Sequence, residues 1–285
     1  MTQRIQNYLE LAKPRLLLLV LATTAMSFYL ASGWGAVELI KLLWLELGAF
    51  LLGAGANALN QLFEKHFDAC MHRTLNRPLV TGVLSDQEAW FFGGAASIFG
   101  LGVLYFSLNK LSALIGFLIW ASYLYIYAPL KRKTVFNTLA GAVPGALPVC
   151  LGWAAARGQL HFGAWALFAF LFVWQLAHFC AIAWVHREDY ERAGFRMLWQ
   201  RDPKGASLGR VLFAASAALV LTSFMPLLAG LVGSTYLFMA VFFGFLLLGF
   251  SGYLAAKGLK EVRHYVPASI LYLFALNLTM ILDKL

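Results

Sequence analysis

Nine runs of apolar residues, each about as long as a bilayer core is thick, constrain this chain more than any other feature. They lie at roughly residues 16–34, 42–60, 90–108, 111–128, 138–156, 162–184, 208–229, 234–256 and 266–282. A transmembrane helix needs about 20 predominantly apolar residues, so the pattern predicts an all-α polytopic membrane protein of nine helices. With 61% hydrophobic and 12% charged residues, the chain carries half the usual charge of a soluble domain, about 25%. That excludes an ordinary water-soluble globule and a disordered chain. The connections are too short to hold a further domain, so residues 1–285 are expected to form one integral-membrane unit.

The third and fourth runs are separated only by Asn109 and Lys110, which predicts a tight hairpin; every other break is clearly polar. The start, MTQRIQNYLELAKPRLLLL, places basic residues before an apolar run that has no small-residue cleavage site, so it reads as a retained first helix rather than a removed leader. Cys70, Cys150 and Cys180 match no metal-ligand spacing and read as packing residues.

Lys and Arg resist translocation, so they accumulate in cytoplasmic loops. Sorting the 22 basic residues by the nine runs puts 18 on one side, among them Arg201 and Lys204, against Lys41, Lys110, Arg157 and Lys284 on the other. This split supports nine spans, a cytoplasmic N-terminus and an outer C-terminus. It also accounts for most of the net charge of +9, so nucleic-acid binding is not expected. The two long loops, about 61–89 and 185–207, fall on the basic side and follow helices that run in the same direction.

The first of these segments reads NALNQLFEKHFDACMHRTLNRPLVTG, from Asn57 to Gly82. Asn60, Glu64 and Asp68 recur every four residues, which on a helix of 3.6 residues per turn aligns three oxygen-bearing side chains. Mg²⁺ prefers oxygen ligands and takes one or two carboxylates with water and substrate phosphate. Arg73 and Arg77 follow, and guanidinium forks match phosphate oxygens. Together they suggest a diphosphate site; a solvated helix end with intrahelical ion pairs is the alternative. The second segment, HFCAIAWVHREDYERAGFRML from His178 to Leu198, supplies Glu188 and Asp189 beside Arg187. It is either a second metal-binding cluster or a charged loop.

His178 lies about two turns inside the sixth run, where an ionisable side chain marks a functional site or a satisfied structural histidine. His72 and His186 lie near the acidic segments and serve either a ligand or a helix end. A third inner loop brings Lys131, Arg132 and Lys133 to the same surface, then enters a helix with Gly141, Gly145, Gly152, Pro144 and Pro148. That helix is either kinked around a cavity or closely packed. Aromatic residues, 15% of the chain, serve the bilayer interface, the core, or a prenyl pocket in which ring faces stabilise a carbocation.

Taken together, LAKPRLLLL, ALNQ-x₃-KHFDACMHRTLNRPL, YAPLKRKTVFNTLAGAVPGALPVCLGW, WQLAHF and EDYERAG resemble the heme O synthases, or protoheme IX farnesyltransferases, of the UbiA superfamily of membrane prenyltransferases. The resemblance runs nearly the whole length. It implies a nine-helix UbiA-type bundle with a cytoplasm-facing cavity, in a bacterial inner membrane. It implies transfer of the farnesyl group of farnesyl diphosphate to the 2-vinyl group of protoheme IX, with water addition. By the same resemblance, Asn60, Glu64, Asp68, Glu188 and Asp189 are catalytic Mg²⁺ ligands, and Arg73, Arg77, Lys131, Arg132 and Arg187 bind diphosphate. His178, then His186 or His72, would contact heme. A terminal oxidase or heme A synthase would receive the product. Cys180 stands where the family pattern has Trp, and Arg196 where it has Pro. The rivals are a UbiA-type enzyme acting on a quinone or aromatic precursor, and a transporter; the latter fits poorly, because inverted repeats would give opposed rather than parallel motif helices.

Overall fold

The computed structural model describes residues 2–32, 38–197, 200 and 205–285. Trp34, which ends the first expected span, Leu198 at the end of the second acidic segment, and Arg201 and Lys204 of the one-sided cations lie outside the described residues.

Among the described residues, nine helical segments are long and apolar enough to cross a membrane, as the apolar runs predict. The first is α2 (Pro14–Ala31), preceded by a short amphipathic helix, α1 (Thr2–Ala12). Then come α3 (Leu39–Asp68) and α4 (Asp86–Ser107). The fourth segment comprises α5 (Lys110–Ala121), a π-helical turn (Ser122–Tyr127) and α6 (Ala128–Lys133). It is followed by α7 (Asn137–Arg157), α8 (Phe162–Val185) and the short α9 (Arg187–Arg192). Next come α10 (Ala206–Thr222) with α11 (Met225–Leu228), α12 (Ser234–Lys257), a 3₁₀ turn (Leu259–Glu261) and α13 (Val262–Leu282).

The packing of neighbours follows from small residues and buried polar caps. α3 lies against α4, and α2 against α7; α7 then meets α8, which contacts α10 and α13, while α12 packs on both of these. α7 is the most buried span, and its composition explains why. A Cβ on Gly152 would stand 2.2 Å from the Thr24 carbonyl oxygen, so glycine lets the α2 backbone approach α7. Gly152 bears out close packing against α2, with Pro144 and Pro148 buried inside the helix.

The tight hairpin forms as expected. Asn109 caps α5, accepting from the Ser112 N–H at 2.9 Å, and its own amide donates to the Ala154 carbonyl at 2.9 Å. α4 begins with a complete capping box between Ser85 and Glu88. Cys150 is buried as expected, Cys180 is half-buried, and Cys70 lies exposed just beyond α3 because the helix has already ended there.

Three of the four minority cations have structural work at the end of the bundle away from Asp68. Arg157 donates to the Ala31 carbonyl, and the Lys284 ammonium to the Tyr29 and Ser32 carbonyls at 2.5 and 2.7 Å. Both complement the partial negative charge of the α2 C-terminus. Lys41 pairs with Glu38 at the start of α3.

Candidate active site

α3 extends two turns beyond its apolar run, and those turns carry Glu64 and Asp68. Asn60, Glu64 and Asp68 are all buried along one stripe of this helix, as their spacing predicts. Buried carboxylates need partners, and here the partners come from other elements. Lys131, on α6, places its ammonium 2.8 and 3.1 Å from the two Glu64 oxygens. Arg77, in the loop after α3, pairs with Asp68. Thr74 fastens that loop by donating to the Asp68 carbonyl at 2.6 Å.

Two tyrosines and one lysine complete this cluster. The Tyr123 hydroxyl donates to Asn60 Oδ1 at 3.2 Å, and the Lys131 ammonium sits 4.6 Å from the centre of the Tyr127 ring. Gly141 opposite makes room for that ring, since a Cβ there would be 2.6 Å from it. Tyr123 and Tyr127 come from the π-helical turn, a distortion that is often found at functional sites. Their recurrence with Lys131 at a spacing of four is the same signal that identifies Asn60, Glu64 and Asp68, applied to a helix whose polar residues look sparse. Lys13, at the junction of α1 and α2, has a left-handed backbone (φ 52°). Its amine is held down to a pKa of about 7 by burial and by the cations Arg77 and Lys131, against the opposing pull of Asp68 and Glu64. Its place in the fold, rather than any spacing in the sequence, brings it beside those charges.

The loop after α8 docks on this cluster. Asp189 accepts from the His72 backbone N–H at 3.1 Å and faces Arg192 at 3.7 Å. Arg73 lies 5.3 Å from the centre of the Tyr190 ring. Phe195 packs beside Phe67 and under Lys131, and Arg132 covers the other ring at 4.6 Å from the Phe67 centroid. Asn137 locks the loop by donating to the Arg196 carbonyl at 2.7 Å. The ends of α3 and α8 thus share one surface.

The expected residues separate into those gathered here and those placed elsewhere. Asn60, Glu64, Asp68, Arg77 and Lys131 form the inner cluster, while Asp189, Arg73 and Arg132 form its rim. Glu188 is exposed and makes no ion pair among the described residues. Arg187 turns away, over the Trp184 ring at 5.0 Å. Among the described residues His72 meets the rim through its backbone N–H. His186 lies near Arg73 and Asp189; burial and Arg73 lower its pKa despite the carboxylate. His178 is remote, about ten residues back along α8. Its Nδ1 is 2.8 Å from Ser269 Oγ on α13, and its ring stacks on Trp174 at 4.6 Å. Among the described residues Nε2 makes no hydrogen bond.

Among the described residues no three of the His, Cys, Asp and Glu side chains are grouped tightly enough to cage a metal. Mg²⁺ needs no such cage when a diphosphate supplies further oxygens. Asn60, Glu64 and Asp68 are hard oxygen donors on one face and fit that chemistry. The buried Asn60 amide nitrogen has no partner among the described residues, so the polar capacity at this corner is incompletely used.

The description "UbiA prenyltransferase family" matches residues 20–264. The chain is 41% identical to a protoheme IX farnesyltransferase of Solibacter usitatus, over 98% of this chain and 99% of that one. It is 37% identical to the protein of the same name from Myxococcus xanthus, over 98% and 94%. Among solved structures it is similar to a digeranylgeranylglyceryl phosphate synthase, with TM-score 0.81, 17% identity, and 99% and 98% of the two chains covered. A UbiA homolog from Archaeoglobus fulgidus bound to GPP and Mg²⁺ matches with TM-score 0.67 and 17% identity, over 96% and 99%.

Proposed function

The chain belongs to the UbiA prenyltransferase family, and from that premise we propose that it transfers the farnesyl group of farnesyl diphosphate to the 2-vinyl group of protoheme IX, giving heme O. Full-length similarity to protoheme IX farnesyltransferases carries the choice of donor and acceptor. The pairing of Glu64 with Lys131 and of Asp68 with Arg77 carries the mechanism.

In this reading the four groups hold one another until substrate arrives. Lys131 and Arg77 then turn to the diphosphate oxygens, joined by Lys13, Arg73 and Arg132. The released Glu64 and Asp68, with Asn60 and with Asp189 and Glu188 from the facing loop, would hold Mg²⁺, which when bound supplies positive charge to the leaving group. The farnesyl C1–O bond breaks and its electron pair leaves with diphosphate. Tyr123 and Tyr127 turn π-electron density toward the allylic cation. The terminal vinyl carbon donates its π pair to C1, leaving a cation on the carbon next to the porphyrin. Water adds there and loses a proton, which completes the hydroxyethylfarnesyl group. Cations stabilise the charge that develops on diphosphate, and such preorganised electrostatics are commonly the largest catalytic term.

The enzyme would sit in a bacterial inner membrane with the active-site surface and N-terminus facing the cytoplasm. His178 Nε2 would contact heme, with His186 or His72 behind it, and a terminal oxidase or heme A synthase would take the product. An acceptor competition tests the choice of substrate. Membranes containing the protein receive labelled farnesyl diphosphate with protoheme and 4-hydroxybenzoate together. Label in the heme fraction supports the proposal; label in the aromatic acid alone overturns it.

A further inference from the structure

A second basic site lies beside the C-terminal end of α8, where Trp184 and Val185 help to line a cleft. Arg187, Lys257, Lys260 and Arg263 converge on this cleft, of about 460 Å³, floored by Trp184 and Leu259. Four elements bring them there: Arg187 opens α9, Lys257 ends α12, Lys260 lies in the 3₁₀ turn and Arg263 is in the first turn of α13. Gly258, at φ 92°, reverses the chain so that Lys257 and Lys260 border one opening.

Five other cations, Arg4, Lys65, Arg77, Lys131 and Arg192, each meet a carboxylate within 4.0 Å, while others such as Arg15, Lys133 and Arg210 stand apart and do not line this cleft. Among the described residues none of the four cleft cations meets a carboxylate. The Arg187 guanidinium donates to the Trp184 carbonyl at 3.2 Å, and Arg263 faces its neighbour His264, which itself holds Glu261. The positive-inside rule explains why cations accumulate on one side; it does not explain why four of them border one hollow with no carboxylate partner among the described residues. Their mutual repulsion favours an anionic occupant. The indole floor, at the ends of three spans, places that occupant where headgroups meet hydrocarbon.

We infer that the cleft binds the phosphate of an anionic phospholipid from the cytoplasmic leaflet. Basic pockets between transmembrane helices on this side are suited to such headgroups, and each Lys or Arg near an anionic surface contributes about a factor of five in affinity. Arg187 and Trp184 clamp the glycerol side, while Lys257, Lys260 and Arg263 neutralise the phosphate.

The test is native mass spectrometry of the detergent-purified protein with equimolar phosphatidylglycerol and phosphatidylcholine of identical chains. The wild type should retain phosphatidylglycerol preferentially. Lys257→Gln/Lys260→Gln/Arg263→Gln should lose that preference by roughly tenfold or more. Arg15→Gln/Lys133→Gln/Arg210→Gln, which removes three cations elsewhere, should keep it. The single variant Lys260→Glu, at an exposed turn, reads the same loss if the triple variant does not fold. Equal retention of the two lipids by the wild type, an unchanged preference in the cleft variants, or an equal loss in the control variant would each overturn the inference.

Discussion

Lys131 and Glu64 form a bidentate ion pair between α6 and α3, with the ammonium 2.8 and 3.1 Å from the two carboxylate oxygens and both side chains largely removed from solvent. The pair joins the span that carries the acidic stripe to the span that carries the tyrosines. It therefore ties these two spans together at the place where substrate charge is expected.

Breaking one side of that pair should harm both stability and turnover. Lys131→Met leaves Glu64 buried without its partner, at an expected loss of about 3–5 kcal/mol. The double variant Lys131→Met/Glu64→Leu should recover much of that stability, because two apolar groups then pack where two charges were. It should recover no turnover. Thermal unfolding of the three purified proteins, beside their rates of farnesyl transfer, checks both statements.

Lys13 supplies a pH dependence with a defined sign. Its pKa of about 7 in the folded protein lies below the unperturbed lysine value of about 10.4. The unfolded chain therefore binds more protons across that window, and Lys13 makes stability rise with pH between the two values. Diphosphate recognition runs the other way, since the ammonium is lost as pH rises through 7. The KM for farnesyl diphosphate should climb between about pH 6 and 8 in the wild type and climb less in Lys13→Gln. Parallel profiles would remove Lys13 from the substrate site.

The last residues of the chain clasp two helices at the far end of the bundle. Asp283 accepts from the Tyr236 N–H at 2.7 Å near the start of α12, while Lys284 closes the end of α2. Asp283→Ala should cost about 1 kcal/mol, as for the loss of a helix cap. Lys284→Met should cost about 1–3 kcal/mol through its unsatisfied carbonyls. Both should lower the thermal midpoint in detergent and leave turnover at low temperature unchanged.

Much of this architecture was legible in the residues. Bilayer thickness and backbone hydrogen bonding fix the length of a span, so the nine apolar runs became nine helical segments among the described residues. The four-residue spacing of Asn60, Glu64 and Asp68 became a buried stripe because α3 continues past its apolar run. What periodicity missed depends on contacts between distant elements. α1 is too short and too polar to read as a span, and is held in place when Asn57 and Gln61 donate to the Ala12 and Leu11 carbonyls. Arg187 adjoins Glu188 in sequence, yet its guanidinium folds back over the Trp184 ring. Tyr123 and Tyr127 gain their place through a π-helical turn that composition does not announce.

Sidedness follows from the distribution of cations and can be measured apart from activity. A reporter fused after Leu285 should be active on the outer side of the membrane, and one fused before α1 on the cytoplasmic side. A cytoplasmic C-terminal reporter would mean an even number of crossings and would contradict the nine-span arrangement.

The most direct measurement is mass analysis of the hemes formed by membranes given protoheme, farnesyl diphosphate and Mg²⁺, with the Glu64→Ala/Asp68→Ala variant and a chelated sample alongside. The account predicts hydroxyethylfarnesyl heme from the wild type, with loss of the product in the double variant and under chelation, and its return when Mg²⁺ is restored. Product formed at the wild-type rate by the double variant would contradict the assignment of Glu64 and Asp68. Unmodified protoheme from intact wild-type protein would contradict the proposed reaction itself.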